Sequence, residues 1–331
     1  MKRILITGGA GFIGSSLARQ LIKNKDYHVV ILDNFLTGSI SNIPVSKQVT
    51  LVRGDVNEAK EITHLMNAYK FHYVFHYAAM VGVRRTQENP IAVLHDIEGI
   101  KNILTFAKQT GVKRIFFSSS SEVYGTPVEF PQNEETTPLN SRLPYAIVKN
   151  VGEAYFKSFQ KEYSQNYTIF RFFNMYGANQ SNDFVIPRFV DAALRNDDLT
   201  IYGDGSQTRT FCYIDDNIDF TLKAIEEDQF INEVVNVGCN VPTSVSNLAQ
   251  MIIALTGSKS RIVHLPPLKE GDMTARMPDN TKMLRLLNRK LTPLEAGIKQ
   301  IIELKNKCES TKQIKRSKLL HPFNERNYKP V

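Results

Sequence analysis

A glycine-rich turn near the start of the chain restricts the fold more than any other sequence feature. Residues 4–14 read ILITGGAGFIG: an apolar run of strand type, three glycines at a spacing of three, and the start of an amphipathic helix. Gly8 permits a tight turn, Gly11 lets backbone N–H groups approach a pyrophosphate, and Gly14 lets the helix pack close to the strand. The segment therefore predicts a phosphate-binding strand–turn–helix unit made by Gly8, Gly11, Phe12, Ile13 and Gly14.

The first half of the chain alternates short apolar runs with helical patterns. The predicted strands cover residues 3–7, 28–33, 50–54, 73–77, 114–118 and 168–172. The amphipathic stretches between them cover residues 14–23, 58–69, 91–110 and 145–163. Strands separated by helices of this length pair in parallel through right-handed crossovers. We therefore predict an α/β fold of the Rossmann type, in which a doubly wound parallel sheet carries helices on both faces.

The pattern changes after about residue 177, where prolines and glycines become frequent and apolar runs become shorter. We predict a smaller α/β lobe over residues 177–304 that binds substrate at the carboxyl ends of the strands, where open α/β sheets bind ligands. Residues 1–176 would form the cofactor-binding domain, with some later segments returning to it. Residues 305–331 form a basic tail, in which eight Lys and Arg against two Glu leave six of the net charge of +8.

Composition excludes several classes of protein. Outside the basic tail the chain is near neutral, so we interpret the tail as a solvated extension and predict no nucleic-acid partner. No apolar run approaches the length of a membrane span, and we predict no membrane contact. Cys212, Cys239 and Cys308 have neither metal-binding spacing nor the pattern of a disulfide framework. We expect a cytoplasmic protein without a metal site.

Residues at the ends of two predicted strands indicate the cofactor. Asp33 lies 19 residues beyond Gly14, a distance at which an acid hydrogen-bonds the ribose hydroxyls of a dinucleotide. The same carboxylate would repel a 2′-phosphate, so the sequence favours NAD over NADP. Asn34 follows it, and Asp55 and Val56, after the third predicted strand, are placed to meet the adenine. The alternative is a tight glycine turn that binds nothing, which this combination of residues disfavours.

A tyrosine and a lysine one helical turn apart are the main candidates for acid–base chemistry. Tyr145 and Lys149 are at positions i and i+4 and therefore share a helix face. The ammonium can lower the phenol pKa and hold the nicotinamide ribose, while the phenol takes a hydroxyl proton from a sugar and hydride leaves. The sequence SSSSE at 118–122 ends the fifth predicted strand. We interpret Ser118 and Ser119 as partners for backbone groups at the strand end.

The chain resembles the extended short-chain dehydrogenase/reductase family, in its branch of NAD-dependent nucleotide-sugar epimerases, dehydratases and decarboxylases. The resemblance extends over about residues 2–303. It rests on the glycine triplet, Asp33, the serine cluster and Tyr145 with Lys149, together with HYAA at 76–79, RFFN at 171–174 and GSQTR at 205–209.

This resemblance implies roles that spacing alone does not give. Ser120 would be the catalytic serine, sharing the sugar O4 proton with Tyr145. The remaining contacts with NAD would come from Tyr77, Ala78, Ala79 and Phe172. A homodimer is also implied, built as a four-helix bundle from residues 91–110 and 145–163 of each subunit.

Ser121 and Glu122 occupy positions at which the branches of this family differ. Ser-Glu resembles GDP-mannose dehydratases and UDP-glucuronate decarboxylases, whereas typical 4-epimerases have no acid there. Glu122 is either a catalytic base for C5 of a 4-keto sugar or a structural acid, and the residues leave both interpretations open. The short spacing from Tyr124 to Tyr145 and the sequence AMVGVRRT at 79–86 resemble 4-epimerases instead. Asp96 stands where the family usually has Asn.

The same resemblance assigns the substrate residues. Asn174 would contact the diphosphate-sugar, Arg209 and Lys269 the diphosphate, and Tyr202 the nucleotide. Ser121 is a further candidate for substrate binding. Arg276 falls where uronate decarboxylases have a functional arginine, although it could pair with phosphate instead. We predict an NAD-dependent 4-epimerase of a nucleotide diphosphate-sugar, a UDP-hexose, N-acetylhexosamine or uronate, acting through a transient 4-keto sugar. The alternatives are a 4,6-dehydratase, a UDP-glucuronate decarboxylase and, more remotely, a non-catalytic RNA-binding descendant of the fold.

Overall fold

The structure, a computed structural model, describes residues 1–267 and 276–319. In its first half, strands and helices alternate: β1 (Lys2–Thr7), α1 (Phe12–Leu21), β2 (Tyr27–Asp33), β3 (Val49–Arg53), α2 (Ala59–Tyr69), β4 (Tyr73–His76), α3 (Val83–Glu88), α4 (Pro90–Thr110), β5 (Arg114–Ser120), α5 (Pro144–Tyr163) and β6 (Tyr167–Phe172). All predicted strands and helices of this half are present, with ends within two residues of the predicted ones. The short helix α3 is additional.

The second half of the chain has shorter elements. They are β7 (Met175–Tyr176), α6 (Val185–Leu194), β8 (Leu199–Tyr202), β9 (Thr208–Thr210), β10 (Cys212–Tyr213), α7 (Ile214–Glu226), β11 (Glu233–Val237), β12 (Pro242–Ser244), α8 (Val245–Thr256), β13 (Ile262–Leu265), α9 (Thr281–Leu287) and α10 (Leu294–Leu319). Three pairs of these strands form two-stranded ladders: β7 with β10, β8 with β13, and β9 with β12. No helix in the described ranges is long and apolar enough to span a membrane.

Seven strands form a parallel sheet in the order β11-β6-β5-β4-β1-β2-β3. Because β11 pairs with β6, a segment from the second half of the chain completes the sheet. The direction of winding reverses between β1 and β4, which are hydrogen-bonded neighbours. Crossover helices diverge to opposite faces at such a point and leave a crevice at the carboxyl ends of the strands. The predicted α/β fold of the Rossmann type is confirmed.

Both faces of the sheet are buried, as a parallel sheet between helices requires. Alternate residues of β1 show this, because Ile4 and Ile6 pack in one apolar cluster and Leu5 in the other. On β5, Phe116 belongs to the first cluster and Phe117 to the second. This alternation matters at the end of β5, where it sends neighbouring serines in different directions.

Candidate active site

A cavity of about 1760 Å³ lies along the carboxyl edge of the sheet. Its walls come from the ends of successive strands, with Gly8 after β1, Asp33 at the end of β2, Asp55 after β3, Tyr77 after β4 and Ser120 at the end of β5. Single-ligand pockets usually measure about 300–1,000 Å³. The cavity therefore has room for two ligands in contact.

In the glycine turn, the backbone at Gly8 lies very close to the backbone at Ala78, and the start of α1 lies very close to Gly8. Gly8 has φ +70°, and a Cβ there would lie 2.8 Å from the backbone N of Ala78. A Cβ on Gly14 would lie 2.5 Å from the carbonyl oxygen of Gly8. Helix α1 starts beside this turn, and its N-cap, Gly11, has no capping side chain. The unpaired N–H groups of this helix start suit an anion such as a pyrophosphate.

The acid at the end of β2 is held in one orientation. Asp33 accepts hydrogen bonds from the backbone N of Ala10 (2.9 Å) and of Phe35 (2.8 Å). Asn34 Nδ2 donates to Asp55 Oδ2 at 3.0 Å, so the two strand ends are connected. All the predicted cofactor residues line the large cavity: Gly8, Gly11, Phe12, Ile13, Gly14, Asp33, Asn34, Asp55, Val56, Tyr77, Ala78, Ala79, Tyr145, Lys149 and Phe172.

Ser120, Tyr145 and Lys149 meet where β5 ends and α5 begins. Pro144 occupies the first turn of α5, where its missing N–H costs nothing, and Tyr145 follows it. Ser120 and Tyr145 line the same cavity, and Ser120 Oγ accepts a hydrogen bond from the backbone N of Glu122 at 3.2 Å. Lys149 Nζ lies 5.7 Å from the centre of the Tyr145 ring. A hydroxyl, a phenol and an ammonium thus share one wall of the cavity.

Burial dominates the acid–base properties of this group. It raises the pKa of Tyr145 above its usual value, while Ser120 and Arg276 act in the opposite direction. We expected Lys149 to lower this pKa, but burial dominates and the net change is upward. Burial also lowers the pKa of Lys149 to about 8, while the carboxylate of Asp96 opposes that change. Lys149 makes no ion pair within 4 Å in the described part of the chain.

An ion pair closes the cavity beside the serine. The guanidinium of Arg276 binds Glu122 through two parallel hydrogen bonds, Nη1 to Oε1 and Nη2 to Oε2, the second at 2.6 Å. Arg276 Nη1 also donates to Ser121 Oγ at 3.4 Å. The arginine side chain is 7% exposed and the glutamate 28%. Although 154 residues separate Arg276 from Glu122, the fold joins them next to Ser120.

The other two serines of the cluster have different partners. Ser118 Oγ donates to the carbonyl oxygen of His76 at 3.3 Å, as predicted for a strand-end hydroxyl. Ser119 instead donates to Glu153 Oε1 at 2.6 Å, so its predicted role toward the backbone is wrong. The pleat explains the difference, because Ser119 lies on the same side of β5 as Phe117 and faces α5.

The predicted substrate residues divide between two neighbouring cavities. Asn174 lines both, and its Nδ2 is buried without a hydrogen-bond partner among the described residues. Tyr202 and Arg209 line the second, a cavity of about 250 Å³. Arg276 lines the first. Lys269 lies outside the described residues.

Several other residues of the large cavity are not among the predicted ones. They are contributed by loops and by α4, where no local spacing marks them: Met80, Val81, His95, Asp96, Gln180 and Phe184. Asp96 carried the clearest signal, since it departs from the residue expected by resemblance. No group of acidic, histidine or cysteine side chains suited to a metal occurs in the described ranges.

Comparison with known proteins identifies the family. The profile of the NAD dependent epimerase/dehydratase family matches residues 4–238. A UDP-N-acetyl-alpha-D-glucosaminuronate decarboxylase of Bacillus cytotoxicus is 36% identical over 326 residues, covering 91% of this chain and 97% of the relative.

Two solved structures extend the comparison. UDP-glucose 4-epimerase of Thermotoga maritima, with UDP-glucose, superposes with a TM-score of 0.87 at 32% identity, covering 93% of this chain and 99% of that one. UDP-glucuronic acid 4-epimerase of Bacillus cereus, in complex with UDP-glucuronic acid and NAD, gives a TM-score of 0.82 at 30% identity, with coverage of 91% and 99%.

The chain belongs to the NAD-dependent epimerase/dehydratase family. The predicted family, the enzymatic character and NAD as cofactor are confirmed by these matches. The glycine turn fits the cofactor, because the start of α1 has no capping side chain at Gly11 and leaves backbone N–H groups free for a pyrophosphate.

Proposed function

We propose that this enzyme decarboxylates a UDP-hexuronate, a UDP-glucuronate or its 2-acetamido relative, through a 4-keto sugar. The pairing of Arg276 with Glu122 beside Ser120 and Tyr145 carries the proposal. A buried guanidinium next to the site of C4 oxidation suits a carboxylate on the neighbouring C5. The similarity to a UDP-N-acetylglucosaminuronate decarboxylase supports the same reaction.

The two parts of the chain would divide the ligands between them. Residues 1–176, with later segments such as β11, hold NAD, and residues 177–304 hold the UDP-sugar. Asn174 supplies an unpaired buried donor to the diphosphate-sugar. Arg209 and Tyr202 line the adjoining cavity, which suits the nucleotide, and Lys269 would add a further positive charge. The basic tail, residues 305–331, has no part in this scheme.

Oxidation at C4 is the first step. Tyr145 takes the O4 proton, and Ser120, which lines the same cavity, shares that proton and holds the O4 hydroxyl in line. Lys149 keeps a positive charge near the phenol and favours its deprotonated form. NAD, when bound, supplies the positive charge of its oxidised ring, accepts the hydride from C4 and can later return it.

Carbon dioxide leaves in the second step. A C4 ketone makes the C6 carboxylate part of a β-keto acid, so the C5–C6 bond can break and its electron pair can pass to O4. The protonated Tyr145 donates to this developing oxyanion. After carbon dioxide departs, a proton from solvent adds to C5 as the electron pair returns from O4, and the C4 ketone is restored.

Two rival reactions use the same 4-keto sugar. Dehydration needs Glu122 as a free base at C5, and its bidentate pairing with Arg276 disfavours that role. 4-Epimerisation is the stronger rival. The likeness to two 4-epimerases and the short segment between Tyr124 and Tyr145 favour it.

The deciding assay is mass analysis of UDP-glucuronate, UDP-N-acetylglucosaminuronate and UDP-glucose after incubation with the enzyme and NAD in deuterated water. Decarboxylation gives loss of carbon dioxide from a uronate, with one deuterium gained at C5. An isobaric product without deuterium would establish 4-epimerisation and refute the proposal. Loss of water from UDP-glucose would restore Glu122 as a C5 base.

A matched pair of variants tests the role of the arginine. Arg276→Gln removes charge-assisted hydrogen bonds worth about 1.5–3 kcal/mol each. Loss of even one such bond to the uronate should lower kcat/KM by at least about 10-fold. Arg261→Gln is the control, because that arginine is 80% exposed and pairs with Asp198 at the surface. Equal activity of Arg276→Gln and the control would remove the main support for decarboxylation.

A homodimer is part of the proposal. Helices α4 and α5 pack side by side, and Leu94 on α4 and Ile147 on α5 are exposed apolar side chains. Pairing this surface with itself about a two-fold axis would make a four-helix bundle. Light scattering of the purified protein should give twice the chain mass, and Ile147→Glu should shift it toward the monomer. We place the enzyme in the cytoplasm, where NAD and nucleotide sugars are available.

A further inference from the structure

The two partners of the ion pair between Arg276 and Glu122 are connected a second time, through the side chain of Asn236. Asn236 lies near the end of β11 and is fully buried. Its Oδ1 accepts a hydrogen bond of 2.7 Å from the hydroxyl of Tyr124, which follows Glu122 closely in the chain. Its Nδ2 donates at 3.3 Å to the carbonyl oxygen of Asp279, which follows Arg276 closely. One amide therefore joins the two short segments that carry the ion pair.

The main chain of Gln132 strengthens this connection on the arginine side. Gln132 N donates to the carbonyl oxygen of Met277 at 2.7 Å, and Asp279 N donates to the carbonyl oxygen of Gln132 at 2.8 Å. Asn236 Nδ2 donates to the same Gln132 oxygen, also at 2.8 Å. Residues 277–279, directly after Arg276, are thus held in place by both Gln132 and Asn236.

The partners of the Asn236 amide determine its orientation. Arg171 Nη1 donates to the hydroxyl oxygen of Tyr124 at 2.8 Å, and a guanidinium can only donate. The hydroxyl must then direct its own proton to Oδ1 of Asn236, so that Nδ2 faces the carbonyl oxygens of Gln132 and Asp279. An aliphatic side chain of the same shape would offer these two oxygens no donor.

We propose that Asn236 is a positioning residue, which sets the guanidinium of Arg276 against Glu122 and thereby controls recognition of the C6 carboxylate of the sugar. The Arg276 side chain is 7% exposed, and a planar guanidinium binds carboxylates strongly only when they lie along its edges. A displacement of residues 277–279 would therefore misalign this group with the sugar. The effect on C6 rests on the proposed uronate chemistry.

The test compares two ligands that differ only at C6, UDP-glucuronate and UDP-glucose. Their dissociation constants are measured by calorimetry with the NAD-loaded enzyme carrying Tyr145→Phe, which suppresses turnover. Asn236→Leu keeps the number of heavy atoms but removes the amide. We expect UDP-glucuronate to bind about 10-fold more weakly, as for the loss of one charge-assisted hydrogen bond, and UDP-glucose to bind as before. A purely structural role would weaken both ligands alike.

Asn232→Leu is the matched control. Asn232 directly precedes β11, at the opposite end of that strand from the cavity. Its Oδ1 accepts a hydrogen bond from Tyr167 N at 3.1 Å, and its Nδ2 donates to Asn166 Oδ1 at 3.0 Å. The same substitution thus breaks side-chain hydrogen bonds beside the same strand, away from Arg276. It should leave the ratio of the two dissociation constants unchanged.

A further comparison shows whether Asn236 acts through the arginine. Arg276→Gln should already remove the preference for UDP-glucuronate, so adding Asn236→Leu should weaken that ligand no further. Equal weakening of both ligands by Asn236→Leu, or a second full loss in the double variant, overturns the proposal. Tyr124→Phe removes one hydroxyl from the same connection and replaces Asn236→Leu if that variant fails to fold. A reduced preference in Tyr124→Phe then supports the proposal, and an unchanged preference overturns it.

Urea unfolding separates this inference from the proposed function. If Arg276→Gln binds both sugars as tightly as the parent enzyme, recognition of a uronate by Arg276 is refuted. The placement of the ion pair is then judged from stability, because Arg276→Gln should cost less in the Asn236→Leu background than in the parent. A smaller cost leaves the positioning role of Asn236 intact, and equal costs overturn it.

Discussion

Replacing Arg171 by Met should destabilise the protein by about 4 kcal/mol. Arg171 pairs with Glu153 through Nε to Oε1 (2.9 Å) and Nη2 to Oε2 (2.7 Å), and both side chains are 2% exposed. Removing one partner of such a buried pair leaves an uncompensated charge and costs about 3–5 kcal/mol. In Arg171→Met, Glu153 keeps only the hydroxyl of Ser119, while Tyr124 loses the Nη1 donor at 2.8 Å.

A double variant tests whether the cost comes from the broken ion pair or from the loss of either buried side chain. Arg171→Met/Glu153→Leu removes both charges, and such replacements are often nearly neutral. We expect it to recover most of the loss, with a further cost of about 1 kcal/mol for the stranded Ser119 hydroxyl. The double variant should therefore be about 3 kcal/mol more stable than Arg171→Met.

Urea unfolding followed by circular dichroism gives these free energies directly. At about 2 °C per kcal/mol for a chain of this size, Arg171→Met should also melt about 8 °C below the wild type. Arg195→Met is the matched control, since its pair with Asp197 has both side chains more than half exposed; it should change stability by less than about 0.5 kcal/mol. Additive losses in the double variant would refute the idea that the pair acts as a unit.

Three shorter predictions concern the cofactor turn, the active-site lysine and the phenol. Gly14→Ala places a Cβ against the Gly8 carbonyl and should abolish NAD binding in calorimetry, whereas Gly111→Ala meets no atom within 4 Å and should cost only the left-handed backbone strain of about 1 kcal/mol. Folding lowers the pKa of Lys149 from 10.5 to about 8. The protonated lysine therefore lowers the free energy of unfolding by its full amount at neutral pH, and this cost decreases as the pH rises from 8 to 10.5. Lys149→Met should therefore raise the free energy of unfolding at pH 7 by up to about 3 kcal/mol, a gain that disappears near pH 10 in urea titrations. Tyr145→Phe should lower kcat by a factor of at least about 100 with little change in substrate affinity by calorimetry.

Local patterns were enough to predict the elements that carry the site. The glycine turn, Asp33 and the i, i+4 pair Tyr145 and Lys149 each lie within one strand–helix unit, where spacing translates directly into position. Arg276 is different, because its contact with Glu122 depends on the packing of distant parts of the chain. Only the resemblance to decarboxylases drew attention to it.

The pKa values and the burial of charged side chains could not be predicted from local sequence patterns. The spacing of Tyr145 and Lys149 is local, but the degree of their burial depends on the whole fold, and burial reverses the expected direction of the phenol pKa. Glu153 illustrates the same limit. On an amphipathic helix it is expected in solvent, yet it is 1% exposed, because Arg171 on β6 and Ser119 on β5 supply its partners.

Arg171 and Lys149 are both buried cations, but one is expected to stabilise the fold and the other to destabilise it. Arg171 has a bidentate carboxylate and a phenol as partners, so the fold is expected to weaken without it. Lys149 is almost as buried but has no carboxylate within ion-pair distance in the described chain, so the fold is expected to gain stability when it is removed. A charge that costs stability is kept where a reaction needs it. Opposite signs of Arg171→Met and Lys149→Met in one unfolding assay would establish this distinction, and equal signs would show that the ammonium is stabilised by other contacts.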